Sequence, residues 1–446
     1  MADPAPLPAA APDAPADLAA VPEPQEHQPT PLAWPAAGRV AFRFAFCFFA
    51  LRLFPFPLGS IPFTEAVSQP IDTGVSNGFR WLTARLFGTP EAEMEPSGSG
   101  DGLHHYVSLG AVLALAAVGA IAWTLLDRKR RQYRTLAAWL TLGLRWSLFF
   151  NMMVYGFSKV IPLQMPWDEA RLVEPLGSMS PMGLLWTFMG ASAPYERLAG
   201  LGEVIGGLLL VWRRTAGVGA LLLLAVLGNV VALNFCYDVP VKIFSAELWL
   251  MAAFIAAPDA LRIFRLLVLR RPTEPAPDVA LVRSERLKRF PRLRWLGPAA
   301  AIAWAGWGVY DHLPFEWAKR LAEMEAKAPV SGVYQVQSFT APADARPGSA
   351  PAGAAWARVG GGLRRLSVLR ADGSFGHIRF EQAPDGAVKL TPLDSEESTL
   401  VRVEHPDPEH VRIAAEGFEV KMKKIPRESF LLLRGFHWVQ PKPLNR

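Results

Sequence analysis

The sequence predicts a mostly α, polytopic transmembrane helical bundle of about seven spans, followed by a small antiparallel all-β domain. Of its 446 residues, 51% are hydrophobic, and many of these fall in seven apolar stretches. Lys and Arg are concentrated in alternate loops between those stretches. Beyond Pro329 the pattern changes to short runs, partly alternating, that turn residues separate. Together these observations indicate a membrane-embedded helical part and a separate β-domain.

The seven apolar stretches are the predicted spans. Several are close to the roughly 20 residues that a helix needs to cross about 30 Å of hydrocarbon. The four between Thr135 and Ala257 have short connections and predict an antiparallel four-helix core. The stretches are Val40 to Leu58, Tyr106 to Leu126, Thr135 to Val160, Leu198 to Trp212, Ala216 to Phe235, Ile243 to Ala257 and Trp295 to Tyr310.

Basic residues in the loops predict the orientation, because Lys and Arg are retained on the cytoplasmic side in short loops. The loops at Arg128 to Arg134, Arg213-Arg214 and Arg262 to Arg294 are the basic ones. They predict a bacterial inner (cytoplasmic) membrane protein with a cytoplasmic N-terminus and an extracytoplasmic C-terminal domain. The net charge of +6 lies in these loops, so it indicates orientation and contact with anionic lipid, not nucleic-acid binding.

The remaining predicted units follow in chain order. The Ala- and Pro-rich stretch 1–38 has no Lys or Arg, so it lacks a signal peptide's basic region and is expected to be a disordered tail. Two spans joined by a long outer loop are predicted for 39–134, and the four-helix core with an inner interfacial helix for 135–271. Then come a basic loop at 272–294, a seventh span at 295–311 and the β-domain at 330–446.

Three further segments are expected to be amphipathic or interfacial. Gly78 to Phe87 in the outer loop has the pattern of an amphipathic helix. Met182 to Met189 is apolar but too short to cross, so it is predicted to lie at the interface or to re-enter the bundle. Asp259 to Arg271, which follows Pro258, is predicted to be a basic amphipathic helix on the inner leaflet.

The C-terminal runs predict a sandwich or barrel of about 110 residues. Asp372-Gly373 and Asp385-Gly386 are hairpin-turn signals between such runs. The nine predicted strands are Gly332 to Phe339, Ala355 to Val359, Leu363 to Arg370, Phe375 to Glu381, Ala387 to Thr391, Leu400 to Glu404, His410 to Ala414, Phe418 to Lys424 and Phe430 to Leu433.

Polar residues inside the spans define the candidate site. An ionisable group in a bilayer costs roughly 2.5 to 3.5 kcal/mol, so such groups usually face a bundle interior and find partners. Several here fall at one depth near the outer ends of four helices, which predicts one outer-leaflet cavity that binds a ligand. The predicted ligand-binding residues are Asn151, Tyr155, Lys159, Glu203, Asn234, Asp238 and Glu247.

Structural roles are the alternative for several of these residues. Lys159 and Asp238 can reach the headgroups, and the asparagines can hydrogen-bond neighbouring helices. Glu203 is short and is flanked by glycines that permit close helix approach, so it is expected to lie in the interior. There it either pairs with Lys159 or Arg145 or contacts a ligand. Arg145 and Arg52 are each expected to pair with Glu203 or Glu247.

No catalytic motif accompanies these residues. Cys47 and Cys236 form no CxxC pair, and neither a Ser-His-Asp set nor a Walker loop occurs. The histidines of the β-domain have no zinc spacing, and His104-His105 is predicted to lie at a membrane boundary. No metal site is predicted.

Three short motifs resemble the DoxX-like membrane proteins. They are Tyr155-Gly156-Phe157-Ser158-Lys159, Glu203-Val204-Ile205-Gly206-Gly207-Leu208 and Arg213-Arg214-Thr215-Ala216-Gly217. The resemblance covers little more than a quarter of the chain and implies a four-helix core over Thr135 to Ala257. By position, Lys159 and Glu203 match the Lys and Glu of the family, and Asn229 or Asn234 its polar position in the next helix.

The DoxX resemblance implies association with membrane redox chemistry, because some members are subunits of quinone-linked or thiol-linked oxidoreductases. The two cysteines are not placed for a thiol relay, so this chain departs from the thiol-linked members. The cofactor stays unassigned, and quinone is one that the resemblance implies. The β-domain is an addition to the four-helix unit. Its start, Gly332-Val333-Tyr334, and its end, Arg434 to Trp438, are loosely similar to a lipocalin-like barrel.

Three functions remain open from the sequence. The first is an accessory subunit or scaffold that binds a quinone or lipid and docks an oxidoreductase in or outside the membrane. The second is an enzyme that uses Lys159 or Glu203 as acid or base on a lipophilic substrate. The third is a small-molecule transporter, which the lack of an inverted repeat disfavours.

Overall fold

The computed structural model describes residues 33–434, apart from 59–63, 91–93, 95–98, 275–294, 313–318, 320–321, 324–327, 343–349, 351, 364 and 384–385. Most of the predicted tail 1–38 and of the basic loop 272–294 lies outside the described residues. The described helices are α1 Ala36–Leu53, α2 Glu65–Phe87, α3 Leu103–Leu126, α4 Arg134–Val160, α5 Pro181–Gly190, α6 Ala193–Val211, α7 Ala216–Cys236, α8 Lys242–Leu267 and α9 Leu296–His312.

Helices α4, α6, α7 and α8 pack against one another as the predicted four-helix core. Their contact is made by fully buried apolar side chains such as Leu144, Leu148, Leu223 and Ala252. Helices α1 and α3 pack together beside α4 and extend the same core through aromatic side chains. The helical part is therefore one bundle with a continuous apolar interior.

Two of the described helices, Leu103–Leu126 and Ala216–Cys236, are long and apolar enough to cross a membrane. The prediction of about seven spans is wrong. Helix α9 has only 17 residues, and α4 and α6 carry charged side chains inside their apolar runs, such as Arg145, Lys159 and Glu203. Several apolar stretches are therefore helices that bury charged groups in the bundle core.

Close contact between α4 and α6 depends on glycine. A Cβ added at Gly200 would lie 2.5 Å from the carbonyl oxygen of Gly156 and 2.8 Å from Cβ of Lys159. A Cβ added at Gly207 would lie 2.9 Å from Cβ of Met152. The glycines near Glu203 thus permit the close helix approach that the sequence predicted.

Three other helical predictions have different outcomes. The amphipathic segment Gly78 to Phe87 is the second half of the longer helix α2. The short apolar run is helix α5, whose N-cap Ser180 accepts a hydrogen bond from the backbone of Gly183. The predicted break at Pro258 is wrong, because α8 continues through Pro258 to Leu267 as a single helix. A proline removes one hydrogen bond within a helix but does not always end it.

The C-terminal domain is a closed barrel in which every strand pairs antiparallel with its neighbour in sequence, and β8 closes onto β1. Closure leaves no sheet edge, so the barrel and not the sandwich is the correct alternative. The strands are β1 Gly332–Thr340, β2 Trp356–Gly361, β3 Arg365–Arg370, β4 Phe375–Gln382, β5 Val388–Pro392, β6 Thr399–Asp407, β7 His410–Ala415 and β8 Phe418–Lys424.

Apolar side chains at alternate positions along the strands fill the barrel interior. In β8, Phe418, Val420 and Met422 are buried, whereas the residues between them are exposed or half-buried. Gly373 has φ 84°, in the left-handed region that the predicted Asp372-Gly373 turn requires. The ninth predicted strand is wrong, because Leu431–Leu433 is a single 3₁₀ turn.

A short segment between α4 and α5 contacts the outside of the barrel. It contains the 3₁₀ turn Glu169–Leu172, whose Ala170 is completely buried. Ala170 lies against Gly360 of β2, where an added Cβ would be 2.8 Å from the Cα of Ala170. Glu169 forms an ion pair of 2.9 Å with Arg427. This segment joins the barrel to the helical bundle.

Candidate functional site

A cavity of about 610 Å³ lies between α4, α5, α6, α7 and the start of α8. Four of the seven predicted ligand-binding residues line it, namely Tyr155, Lys159, Glu203 and Asn234. The cavity has the size of a small-molecule site, and its walls are largely apolar with a few polar groups, as is usual for such sites.

The charged part of the cavity is an ion pair between two helices. Nζ of Lys159 donates to both carboxylate oxygens of Glu203, each at 2.8 Å. The two residues are only 7% and 2% exposed, and the α4–α6 crossing at Gly200 brings their backbones together. Since the charges cancel, the pair makes this part of the cavity polar but electrically neutral.

Two asparagines on α7 add uncharged hydrogen-bonding groups. Asn234 is 6% exposed, and no described residue forms a hydrogen bond with its side-chain amide. Its amide faces the cavity and can donate and accept hydrogen bonds, so this side chain is suited to bind a ligand. Asn229 lines the same cavity about one and a half helical turns earlier.

One apolar wall comes from α5 and the chain before it, opposite the apolar residues of α7. Helix α5, which the sequence predicted as a short interfacial or re-entrant run, places Leu185, Trp186 and Met189 on the cavity. Met165 and Met152 complete this wall. Methionine is flexible and polarisable, which suits a surface that binds a bulky apolar molecule.

Three predicted site residues do not line this cavity. The side chain of Asn151 donates to the backbone carbonyl of Ser147 in its own helix. Asp238 forms an exposed ion pair of 2.8 Å with Lys242. These three residues lie outside this cavity, since the helical spacing fixed their depth but not the face they share. The third residue, Glu247, forms an ion pair with Arg52 of α1.

The two arginines left open by the sequence have separate partners. Arg52 at the end of α1 forms an ion pair of 2.6 Å with Glu247. Arg145 donates instead to the backbone carbonyls of Leu210 and Val211 at the C-terminal end of α6. A guanidinium stabilises the negative end of a helix dipole, so Arg145 fixes the C-terminal end of α6, about two turns beyond Glu203.

Several polar lining residues were missed by sequence reasoning. They are Gln164, Tyr195 and Ser245. Each lies just outside a predicted span or at its end, so the search for polar residues inside the spans did not find it. Trp186 lies in α5, which the sequence treated only as an interfacial run, and Tyr195 lies in the first turn of α6. The placement of α5 over the bundle was the missing information.

Among the residues that the structure describes, no group of three His, Cys, Asp or Glu side chains could hold a metal ion. The cavity has hydrogen-bond donors and acceptors instead: an ammonium, a carboxylate, amides and hydroxyls. These groups can bind carbonyl or hydroxyl oxygens of an organic ligand.

Comparison with known proteins identifies one relative. No protein-family model matches the chain, and no solved structure matches it. A 115-residue stretch is 33% identical to the uncharacterized protein YwoB of Bacillus subtilis (strain 168). This stretch is 26% of the chain and 73% of the relative. The chain therefore belongs to the same family as YwoB, whose name states no activity.

Proposed function

We propose that this chain is a DoxX-like membrane protein that binds a quinone or another uncharged lipid in the Lys159–Glu203 cavity. It serves as an accessory subunit or scaffold for quinone-linked redox chemistry. The single observation that carries the proposal is the side-chain amide of Asn234, which lines an otherwise largely apolar cavity beside the Lys159–Glu203 ion pair. Such an amide is suited to bind a carbonyl or hydroxyl group on an apolar molecule.

Electrostatics favours an uncharged ligand. The carboxylate of Glu203 already accepts two hydrogen bonds from Lys159, so the site has no excess charge to offer an ion. A quinone ring presents two carbonyl acceptors at its edge and an apolar face. Asn234 and Asn229 can donate to such carbonyls, and Trp186 offers an aromatic face for the ring.

The same ion pair argues for binding over acid–base catalysis by this chain. Either Lys159 or Glu203 could exchange a proton with a substrate only after the bidentate contact is broken. Breaking a buried pair leaves an unpaired charge, which is unfavourable by about 3 to 5 kcal/mol. Catalytic chemistry is therefore assigned to a partner oxidoreductase, and this chain holds the lipophilic molecule.

The location of the cavity is consistent with entry from a bilayer. Helix α7, one of the two helices that can cross a membrane, supplies the wall from Ala225 to Asn234. We place this end of α7 in the outer leaflet, because Arg213 and Arg214 precede its other end. The barrel then lies outside the cytoplasm, where it can contact a partner.

The test is ligand retention by the purified full-length chain. After purification in mild detergent, mass spectrometry of extracted lipid is expected to find an isoprenoid quinone or another uncharged lipid. Asn234→Leu is expected to lower retention about tenfold, because an amide–carbonyl hydrogen bond is lost and the polar head faces an apolar group. Asp238→Asn, on the exposed end of α7 outside the cavity, is the matched control.

Equal retention in Asn234→Leu and Asp238→Asn would remove Asn234 from the site. Absence of any uncharged lipid from the wild-type chain, together with no retention after quinone is added, would contradict the proposal itself. Both variants should elute as the wild-type chain does on size exclusion, so that loss of ligand is separated from loss of folding.

A further inference from the structure

The Lys159–Glu203 cavity reaches the outer surface of the bundle on one side. Five of the residues that line it are exposed, whereas the others are buried or half-buried. One of the five, Tyr155, also lines a neighbouring cavity of about 710 Å³. The other four lie on α6 and α7, and they are Tyr195, Leu198, Ala225 and Asn229. Among the described residues, the cavity therefore opens outward between these two helices.

Contacts on either side limit this opening along the helices. Toward the α6–α7 turn the helices lie close together, because a Cβ added at Gly202 would be 3.3 Å from the side chain of Val226. At the opposite end, the ring of Tyr195 lies 5.6 Å from the ring of Phe188 in α5. We call the gap between these two contacts the lateral opening. Its sides are formed by Leu198 of α6 and by Asn229 and Val230 of α7.

The lateral opening faces hydrocarbon if α7 crosses the membrane, as its length and composition allow. Asn229 lies seven residues before the end of α7 at Cys236, which is about 10 Å along the helix axis. Half of a bilayer core is about 15 Å thick, so this level is inside the apolar layer. Leu198, on the facing helix, is 66% exposed, which suits contact with lipid chains. A lipid reaches such an opening by lateral diffusion, whereas a soluble molecule does not.

Asn229 is the polar side chain at the lateral opening. It is exposed, and no described residue forms a hydrogen bond with its amide. Polar groups within a membrane are unfavourable without partners, so they usually mark a helix contact or the path of a ligand. The path is favoured here because the same side chain lines the cavity. Asn234, five residues later and about 7.5 Å along the axis, provides the next amide deeper inside.

We propose that the ligand enters the cavity from the bilayer through the lateral opening, and that its apolar chain stays between Leu198 and Val230 while its head lies at Asn234. This route rests on the proposed function and narrows the ligand to one class. That class is a lipid with a compact, uncharged head and an apolar chain of many isoprene or methylene units. Such a chain exceeds a cavity of about 610 Å³, so it needs an exit into the hydrocarbon.

The first measurement maps the path of the chain. The full-length protein in phosphatidylcholine nanodiscs is loaded with an isoprenoid quinone whose chain carries a diazirine, and it is irradiated and digested. Mass spectrometry is expected to find adducts on the peptides around Leu198 and Val230. Adducts mainly around Tyr155 and Phe244, which line both cavities, would overturn the proposal, because the chain would then leave on the other side.

The second measurement compares the retention of a quinone with one isoprene unit and of a quinone with eight. The double variant Leu198→Trp, Val230→Trp narrows the lateral opening from both sides. It is expected to lower retention of the long-chain quinone about tenfold and to leave the short-chain quinone unchanged, because the site of the head is intact. Ile205→Trp is the matched control, since Ile205 is 48% exposed on α6, two turns beyond Leu198 and outside the cavity.

Equal retention of the long-chain quinone by the double variant and by Ile205→Trp would overturn the lateral opening. A change of oligomeric state in Asn229→Leu, with retention unaltered, would assign this amide to a helix contact and overturn its role in the path. A wild-type chain that retains neither quinone would contradict the proposed function itself. Retention of both quinones with adducts elsewhere would contradict the entry route alone.

Discussion

The helical bundle and the barrel bury polar groups in opposite ways. Among the described residues, eleven of the twelve buried polar or charged side chains belong to the helical part, and only Ser367 belongs to the barrel. The barrel interior is an apolar cluster that includes Val359, Leu366 and Leu390. In the bundle, ions such as Lys159 and Glu203 lie inside the core.

This difference indicates which of the two regions can bind a ligand. A core of apolar side chains packs at high density and leaves little room for a ligand, so the barrel is suited to act as a rigid surface. Buried ions and amides require partners and are retained next to cavities in the bundle. We therefore propose that the bundle binds the ligand and that the barrel docks a partner.

The largest expected effect tests the buried ion pair of the helical bundle. Glu203→Ala leaves the ammonium of Lys159 buried and unpaired, so it is expected to destabilise the chain by about 3 to 5 kcal/mol. Thermal unfolding of the purified chain in detergent measures this loss. The double variant Lys159→Met, Glu203→Leu removes both charges and is expected to be more stable than Glu203→Ala. If the double variant is as unstable as the single one, the pair does not behave as a compensated ion pair.

The next largest effect tests the apolar core of the barrel. Leu390 is completely buried in the barrel core, and Leu390→Ala is expected to cost about 2 to 5 kcal/mol through lost burial and a cavity. Leu393 lies close by in sequence but is 50% exposed, so Leu393→Ala is the matched control with little change expected. Intrinsic tryptophan fluorescence and circular dichroism during urea unfolding would measure both. Similar destabilisation by the two variants would mean that the barrel core is not tightly packed.

The smallest effect concerns the contact between the two regions. Burial lowers the pKa of His377 in β4, and the nearby Arg365 and Arg171 lower it further, whereas Glu174 and Asp168 oppose the shift. The unfolded chain therefore binds this proton more readily than the folded chain. The contribution of His377 to stability is present above its ordinary pKa of 6.5 and is lost as the pH falls below that value and through the lower pKa of the folded chain.

We expect His377→Asn to reduce the loss of stability between about pH 8 and about pH 5. Melting temperatures across that range would measure the change, with His405→Asn as a control on the same barrel outside this cluster. A pH dependence that is the same in the wild-type chain and in His377→Asn would contradict this assignment.

Local signals explain why the barrel was largely predictable from the sequence. Alternation in β8 and the Asp372-Gly373 turn depend on neighbours in the chain, so strand bounds followed to within a few residues. Phe430 to Leu433 shows the limit of this reasoning. An apolar run with no paired strand beside it resembles a strand in sequence but forms a 3₁₀ turn.

The candidate site was only partly predictable, because helical spacing gives depth and face within one helix but not the neighbour of that face. Lys159 and Glu203 met as expected, since glycines bring α4 and α6 together. Glu247 lies at a similar depth but faces Arg52 of α1. The number of spans was overestimated for a related reason, since apolar composition alone does not distinguish a lipid-facing helix from one that buries ions in a protein core.

The segment that follows α4 connects the barrel to the Lys159–Glu203 cavity over a short stretch of chain. Met165 lines the first cavity, and its backbone N–H donates to Glu196 of α6 at 3.2 Å. Ala170, five residues later, is held against the barrel wall. Five extended residues reach at most about 18 Å, so this stretch has little slack. A protein that pulled on the barrel would thereby displace one wall of the Lys159–Glu203 cavity.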